Sequence, residues 1–432
     1  MEFLEIIVLV VSFVILLALG VPIAFSIGIS ALLTMLVSIA PEPAFTTMAQ
    51  RMATGLDSFA LLAIPFFILA GQLMNRGGIA SRLIDFAKGL VGTLPGGLAY
   101  VNVVACMLFG AISGSAVAAA SAIGGIMNPR MVKEGYSKPF SAAVNITSAT
   151  TGMIIPPSNI LIVYSLASGG VSIAALFVAG YIPGILLGLS IMIVAGFIAW
   201  KNKYPVSDRT PLRVVFKKFL DALPSLFLLF VIIGGIIAGI FTATEASAIA
   251  VLYTVILSMV IYKEVKVADL PDILISTVIT TAIVMLLIGT SMGMSWVMSY
   301  ENIPQGMSDA LLSISDNKIV VLIIINLILL FVGVFMDMTP AVLIFTPIFL
   351  PVVTALGVDP VHFGIMMVMN LCIGLCTPPV GGVLFVGCGV AGVSISKVIK
   401  PLVPMFIAMV VALLLVTYIP ELSTWLPRQF GL

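Results

Sequence analysis

Charge is what this sequence lacks. Of its 432 residues only 9% are Asp, Glu, Lys or Arg, against 61% hydrophobic, and the mean hydropathy is +1.28. A soluble domain carries about 25% charged residues. A water-soluble globular fold is therefore excluded, and a polytopic all-α membrane protein embedded in a lipid bilayer is expected. The net charge of +1 offers no basic surface, so no nucleic-acid partner is expected. Histidine is nearly absent. His362 is the single one, which argues against metal sites or proton relays built from imidazole. The four cysteines, Cys106, Cys372, Cys376 and Cys388, all sit in apolar runs and read as small hydrophobes rather than disulfides or metal ligands. Met1-Glu2-Phe3-Leu4-Glu5 has no basic stretch, so no removable signal peptide is expected.

Glycine and proline, by contrast, are plentiful and placed in register. A Pro-Pro pair interrupts Gly152-Met153-Ile154-Ile155-Pro156-Pro157-Ser158 and again Gly374-Leu375-Cys376-Thr377-Pro378-Pro379-Val380, at an offset of 222 residues. At that offset Phe109 matches Phe331, Pro129 matches Pro351, Gly135 matches Gly357, and Gly170-Val171-Ser172-Ile173 matches Gly392-Val393-Ser394-Ile395. Scattered Leu or Ala matches could arise by chance in so apolar a chain. Aligned helix breakers would not readily do so. Paired broken segments in two halves of a membrane protein point to a transporter's binding site.

A spanning helix needs about 20 apolar residues. Candidate spans are Phe3–Leu19, Pro22–Ala40, Phe59–Met74, Phe140–Ala167, Ile173–Trp200, Leu223–Phe241, Ala246–Tyr262, Leu274–Met294, Phe363–Val390 and Leu402–Tyr418. Two more apolar regions, about 96–131 and 319–353, are interrupted at Ser113-Gly114-Ser115 and Asp337-Met338-Thr339-Pro340. Each is either a pair of full spans or one re-entrant hairpin. The polar, helix-breaking tips favour re-entry, because unsatisfied backbone at depth must be protected by protein or water. With the N-terminus outside, every Lys and Arg except Arg51, Lys318 and Arg428 faces the cytoplasm, as positive-inside placement requires. The first hairpin then opens from inside and the second from outside, so the halves are inverted repeats around one central site. The stretch 209–223 is amphipathic, with Arg213 and Lys217 opposite Leu212, Val215, Phe216 and Phe219. It is expected to lie in the cytoplasmic interface as an arm between the halves.

Pro-Pro inside a membrane helix removes two backbone donors, so the carbonyls before it lose their helical partners. Freed carbonyls at membrane depth suit a small hard cation. The expected ligands for two sodium sites are Gly152, Ile155 and Pro157 in the first half and Gly374, Thr377 and Pro379 in the second. Each break should face its own hairpin tip, adding Ser113 to one site and Gly333 and Asp337 to the other. Ser113 or Ser115 can N-cap the second arm of the first hairpin, and Thr339 that of the second, with Pro340 in the first turn. Inward-pointing helix N-termini also attract carboxylates. An organic anion is thus expected between Ser113, Ser115, Thr339, Ser158 and Asn159. Glu245, in Thr242-Ala243-Thr244-Glu245-Ala246, begins a span at the outer face. It is either functional or a helix-dipole charge.

Two motifs of soluble enzymes fit only by accident. Gly387-Cys388-Gly389-Val390-Ala391-Gly392 matches the dinucleotide pattern without a preceding strand. Gly289-Thr290-Ser291-Met292-Gly293 matches a nucleophile elbow with no evident triad.

These residues resemble the large membrane subunit of tripartite ATP-independent periplasmic (TRAP) transporters over essentially the whole chain. The resemblance rests on Ala18-Leu19-Gly20-Val21-Pro22-Ile23-Ala24-Phe25, Ile64-Pro65-Phe66-Phe67-Ile68-Leu69-Ala70-Gly71, Ser113-Gly114-Ser115-Ala116, Ile155-Pro156-Pro157-Ser158, Thr242 to Ala246, Asp337 and Thr377-Pro378-Pro379. It implies a sodium-driven, inner-membrane importer of organic acids that moves substrate by an elevator-like motion of the hairpin domain. It also implies two partners, a small membrane subunit and a periplasmic substrate-binding protein. Residues 1–95 would be N-terminal scaffold helices. Residues 96–170 and 318–392 would be the two hairpin-and-broken-helix halves of the transport domain, with 171–317 connecting them and 393–432 a C-terminal helix. Ile126-Met127-Asn128-Pro129-Arg130 and Asn159 depart from the commoner pattern and flank the expected pocket. The alternative within transport is a stand-alone ion-coupled carboxylate carrier. An intramembrane enzyme would need an acid–base or nucleophile constellation at depth, and a channel a continuous polar pore. The sequence offers neither.

Overall fold

A computed structural model describes residues 2–205, 211–315, 317–378 and 380–432. Every regular element among the described residues is helical, as it must be where no water is present to satisfy backbone groups. Eight helical segments among them are long and apolar enough to cross a membrane.

The first half holds α1 (Glu2–Ala18), α2 (Ile23–Ser38), α3 (Pro41–Leu56), α4 (Ala63–Arg76), α5 (Ile79–Val91), α6 (Gly97–Ser113), α7 (Ala116–Lys133), α8 (Lys138–Ala149), α9 (Asn159–Ala167) and α10 (Ile173–Lys201). The second holds α11 (Leu212–Ile237), α12 (Ala243–Val255), α13 (Leu270–Tyr300), α14 (Ile303–Ile314), α15 (Lys318–Phe335), α16 (Met338–Ala355), α17 (Pro360–Gly374), α18 (Gly382–Ala391), α19 (Ile395–Tyr418) and α20 (Glu421–Gln429). The two interrupted regions are helical hairpins, α6–α7 and α15–α16. The two Pro-Pro segments split α8 from α9 and α17 from α18.

The packing recurs between the halves. α7 packs on α18 as α16 packs on α9, and α8 meets α19 as α17 meets α10. Outside them, α2 lies against α13 and α12 against α4. At the centre, every residue of Phe140–Ala149 and of His362–Gly374 is buried. Buried on every side, α8 and α17 are the axis around which the hairpins are arranged, and their polar side chains bond inside the protein, as Asn145 Nδ2 does to the Ala120 carbonyl at 2.9 Å. His362 is buried here, its ring nitrogens 2.7 Å from Ser423 Oγ and 3.2 Å from the Thr417 carbonyl. All four cysteines are free and buried.

All four ion pairs among the described residues join segments that the positive-inside rule assigns to the cytoplasmic end. They are Arg76–Asp272 (3.9 Å), Arg82–Glu264 (3.6 Å), Lys88–Glu134 (3.6 Å) and Arg130–Asp85 (3.5 Å). Such partly exposed pairs contribute little stability. Their value is as markers that these loops share one end of the molecule.

Two features differ from the sequence reading. Four short helices, α3, α5, α14 and α20, were not expected, because they are too short or too polar to read as spans; residues 393–432 accordingly hold two helices, α19 and α20, and not one. α5 is a connector that buries Ile79, Leu83 and Ile84 and packs on α6 and α11. The amphipathic arm is not a separate element either. Residues 212–223 run on through Pro224 as the single helix α11, and Val215 and Phe219 lie against Gly89 and Phe86 of α5. That apolar contact carries the helix past the proline, which costs it one backbone bond. Residues 209 and 210 of the expected arm lie outside the described residues.

Candidate functional site

The hairpin tips are built by local backbone chemistry. α6 closes on Gly114 at φ +62°, a conformation that strains any residue with a Cβ. The next residue, Ser115, is extended and caps α7, its Oγ accepting from the Ala118 N–H at 3.2 Å. At the second tip the cap is Asp337, with φ −68° and ψ 160°, and its carbonyl accepts from the Ala341 N–H at 3.3 Å. Thr339, the capping residue expected from sequence, lies inside the first turn instead, because the helix begins at Met338. Ser115 and Asp337 therefore hold the same N-cap position at the 222-residue offset, one neutral and one acidic, but only Ser115 makes a side-chain capping bond.

Each break does meet its own hairpin. Gly152 lies against Gly110 so closely that a Cβ on Gly110 would come 2.7 Å from the Gly152 Cα. A Cβ on Gly333 would come 3.1 Å from the Gly374 Cα. Backbone thus touches backbone at both crossings. The carbonyls at the second break are less free than expected. The Gly374 carbonyl, whose ordinary partner position is Pro378, accepts from the Thr377 N–H at 2.9 Å, and the Thr377 carbonyl accepts from the Gly381 N–H at 3.1 Å. Short turns recover bonds that the prolines remove, though each carbonyl oxygen keeps a second lone pair. Gly152, Ile155, Pro157, Gly333 and Gly374 are buried behind the tips, and Thr377 is half-buried. Pro379 lies outside the described residues.

The two tips and the first break converge on one cavity of about 440 Å³. Ser113, Ser115, Asn159, Asp337 and Thr339 line it, so five of the residues singled out from sequence are brought together. Ser158 is not among them: it is buried, and its Oγ donates to the Met153 carbonyl at 2.5 Å. Asn128 is also elsewhere, in the packing of α7 on α8, where its Oδ1 accepts from Ser141 Oγ at 2.8 Å. Glu245 is exposed and closes a capping box with Thr242, accepting from its N–H and its hydroxyl, both at 2.8 Å. It does not line the cavity, and the contacts it makes are those of a cap.

Across the cavity stand residues that sequence reasoning missed. α4 contributes Ile64, Ile68, Gly71, Gln72 and Asn75, and α13 contributes Thr280 and Val284. The α4 positions are spaced as one helix face, which was the available signal, since Gln72 and Asn75 are polar residues at the end of an apolar span.

Residues 10–422 match the family described as "Tripartite ATP-independent periplasmic transporter, DctM component". The chain belongs to the TRAP large-permease family. It is a multi-pass inner-membrane permease, of a family of transporters and not of enzymes. Among relatives, the protein YgiK of Salmonella typhimurium is 59% identical over 99% of this chain and 98% of its own. The C4-dicarboxylate TRAP transporter large permease DctM of Rhodobacter capsulatus is 39% identical over 96% of each chain. The YdaH transporter of Alcanivorax borkumensis shares the fold, with a TM-score of 0.60 at 14% identity over 90% of this chain and 88% of that one.

The electrostatics of the TRAP permease cavity follow from its walls. Asp337 is the one ionisable group lining it among the described residues, and it reaches open space there. The N-terminal turns of α7, α9 and α16 all line it, which brings the positive ends of three helix dipoles to its wall. Ser113 Oγ is buried and has no hydrogen-bond partner among the described residues. An orphaned hydroxyl at a tip is a donor waiting for a ligand, and a hard cation accepts such oxygens.

Proposed function

We propose that this chain is the membrane engine of sodium-coupled import of a small organic acid, working with a small membrane subunit and a periplasmic binding protein that delivers the substrate. The observation that carries the reading is the convergence of both hairpin tips and the first break on a single cavity walled on its other side by α4 and α13. Tips entering from opposite ends of inverted repeats can expose such a site to either side in turn. The tips and broken helices form the moving body, and α4 and α13 belong to the scaffold against which it slides.

The cavity runs along α4 from Ile64 to Asn75, beside Arg76. Arg76 belongs to the basic, cytoplasmic end, so this arrangement corresponds to the inward-open state. Sodium fits the orphaned Ser113 hydroxyl together with the Gly152, Ile155 and Pro157 carbonyls. A second ion fits Asp337 with Gly333, Gly374 and Thr377. Substrate carboxylate fits the N-terminal turns of α7 and α9, with Ser115, Asn159 and Thr339 as hydrogen-bonding groups.

Uptake in proteoliposomes tests this reading. The chain and its small subunit are reconstituted, and radiolabelled organic acids are offered with and without a sodium gradient and a binding protein. Uptake that needs both supports the tripartite reading. Sodium-driven uptake of free acid alone replaces it with a stand-alone carrier, and uptake indifferent to sodium removes the coupling.

A further inference from the structure

A second cavity, of about 480 Å³, lies between α5, α11 and the segment that follows α12. Its basic residues place it at the cytoplasmic end, and among the described residues it shares no lining with the central cavity. We infer that it is a headgroup site for a zwitterionic aminophospholipid, a phosphatidylethanolamine, with Lys218 and Asp221 of α11 reading the headgroup and the lipid-facing stripe of α11 carrying an acyl chain.

The charges in its lining balance. Arg82 and Asp85 come from α5, Lys218 and Asp221 from α11. Arg82 is held in place: its Nη1 donates to the Gly78 carbonyl at 2.8 Å, its guanidinium lies 3.7 Å from the centre of the Tyr262 ring, and it pairs with Glu264. Asp85 pairs with Arg130. Lys218 and Asp221, neighbours on one face of α11, take part in none of the ion pairs among the described residues. Pro224 has no N–H to give the Leu220 carbonyl, which adds an acceptor where Leu220 lines the cavity. A phosphoethanolamine headgroup brings a phosphate and an ammonium on neighbouring atoms. The phosphate matches Lys218 and Arg82, and the ammonium donates to Asp221. A phosphatidylglycerol headgroup has no cation for Asp221, and the trimethylammonium of a choline lipid has no N–H to donate.

What adjoins the charges selects a lipid over a free solute. Phe216, Leu220, Leu223, Phe227 and Phe230 are all exposed, and they recur at i, i+4, i+7, i+11 and i+14, as one stripe along α11. Leu220 of this stripe and the exposed Ile261 line the cavity itself, so charged groups and lipid-facing surface are continuous. At 1.5 Å per residue, Leu220 to Phe230 spans about 15 Å, half of a hydrocarbon core of roughly 30 Å. That is the depth of one leaflet, below a headgroup held at its surface.

The test is lipid binding to the chain with its small subunit in detergent, read as adducts by native mass spectrometry and as thermal stabilisation. The probes are phosphatidylethanolamine, phosphatidylglycerol and phosphatidylcholine with the same palmitoyl and oleoyl chains, and water-soluble O-phosphoethanolamine. Phosphatidylethanolamine is expected to bind about fivefold more tightly than either other lipid, and O-phosphoethanolamine to leave the unfolding temperature unchanged. Lys218→Gln and Asp221→Asn should each bring phosphatidylethanolamine down to the level of phosphatidylcholine, while Lys218→Arg keeps the preference. Because neither side chain belongs to an ion pair of the fold, the lipid-free unfolding temperature of all three variants should match the parent's. Equal binding of the three lipids, or a preference for phosphatidylglycerol, overturns the inference. So does a phosphatidylethanolamine preference that survives in both neutralised variants. Stabilisation by O-phosphoethanolamine equal to that by the lipid would overturn the acyl-chain assignment and give the cavity to a soluble ligand.

Discussion

The two hairpins are built on one plan and differ at their tips. Ser115 and Asp337 occupy the same capping position, but only the second carries charge. Gly110 with Gly152 and Gly333 with Gly374 make the same backbone crossing. The scaffold beyond them is where the halves part. Gly71 of α4 lies under the first tip, such that a Cβ there would come 2.7 Å from the Ser113 carbonyl. Its counterpart at the 222-residue offset, Gly293 of α13, faces Met48 of α3 instead, with a Cβ 2.7 Å from Met48 Cε. Equivalent glycines thus do different work in one state of the molecule. A repeated backbone frame sets where the tips can go, while the residues at the tips and on the scaffold set what is bound and which side is open.

The comparison can be broken most severely at the crossings. Gly152→Leu and Gly374→Leu insert side chains where backbone meets backbone, and each is expected to abolish uptake and destabilise by about 1–3 kcal/mol or more. Thermal unfolding of the two variants side by side checks whether the crossings are equally tight. If the halves are equivalent, the losses match.

At the tips the halves should diverge. Asp337→Asn keeps the shape of the side chain, which makes no capping bond, and removes the charge; sodium-driven uptake is expected to fall at least about 100-fold with little change in unfolding temperature, as for loss of a charged ligand. Ser115→Ala removes only a neutral cap, about 1 kcal/mol, with a few-fold loss of uptake. Equal effects of the two on sodium dependence would contradict the assignment of the second tip as the charged one.

The scaffold glycines sharpen the comparison further. Gly71→Val should push the first tip off α4 and weaken the inward-open state. Gly293→Val should spare that state, where its flexible neighbour Met48 can yield, and act on the opposite one. Labelling of a cysteine introduced at Asn75, from the cytoplasmic side, should fall in the first variant and hold or rise in the second. The smallest effect belongs to Glu245→Gln, which weakens a capping box remote from the cavity. A slight fall in unfolding temperature with unchanged uptake is expected there. A large loss of uptake would give Glu245 a role beyond its helix.

Long apolar runs and the paired breaks were legible because they follow from local rules. Lipid demands helices of a certain length, and Pro-Pro cannot continue one. The hairpin tips were legible for the same reason: Ser113-Gly114-Ser115 and Asp337 cannot lie in an uninterrupted apolar helix. The connectors α3, α5 and α14 were hidden because they are short and partly polar, and their helicity depends on the faces they pack against. Ser158 was assigned to the substrate from its place beside the break, but rotation of the chain there turns it into the wall. Gln72 and Asn75 were passed over although they are polar and share one face of an apolar span, because that spacing does not say what the face meets.

Sequence alone determined the class of protein, its helical spans, the two-fold recurrence of its breaks and the five lining residues at the tips and first break. Each of these depends on neighbours within a few residues or on a fixed offset along the chain. Only the tertiary structure decided that α4 and α13 wall the cavity, that Glu245 stands apart from it, and that the arm is one helix with the span that follows. Those outcomes depend on which helix faces meet, through packing between segments some 200 positions apart, such as α4 against α13.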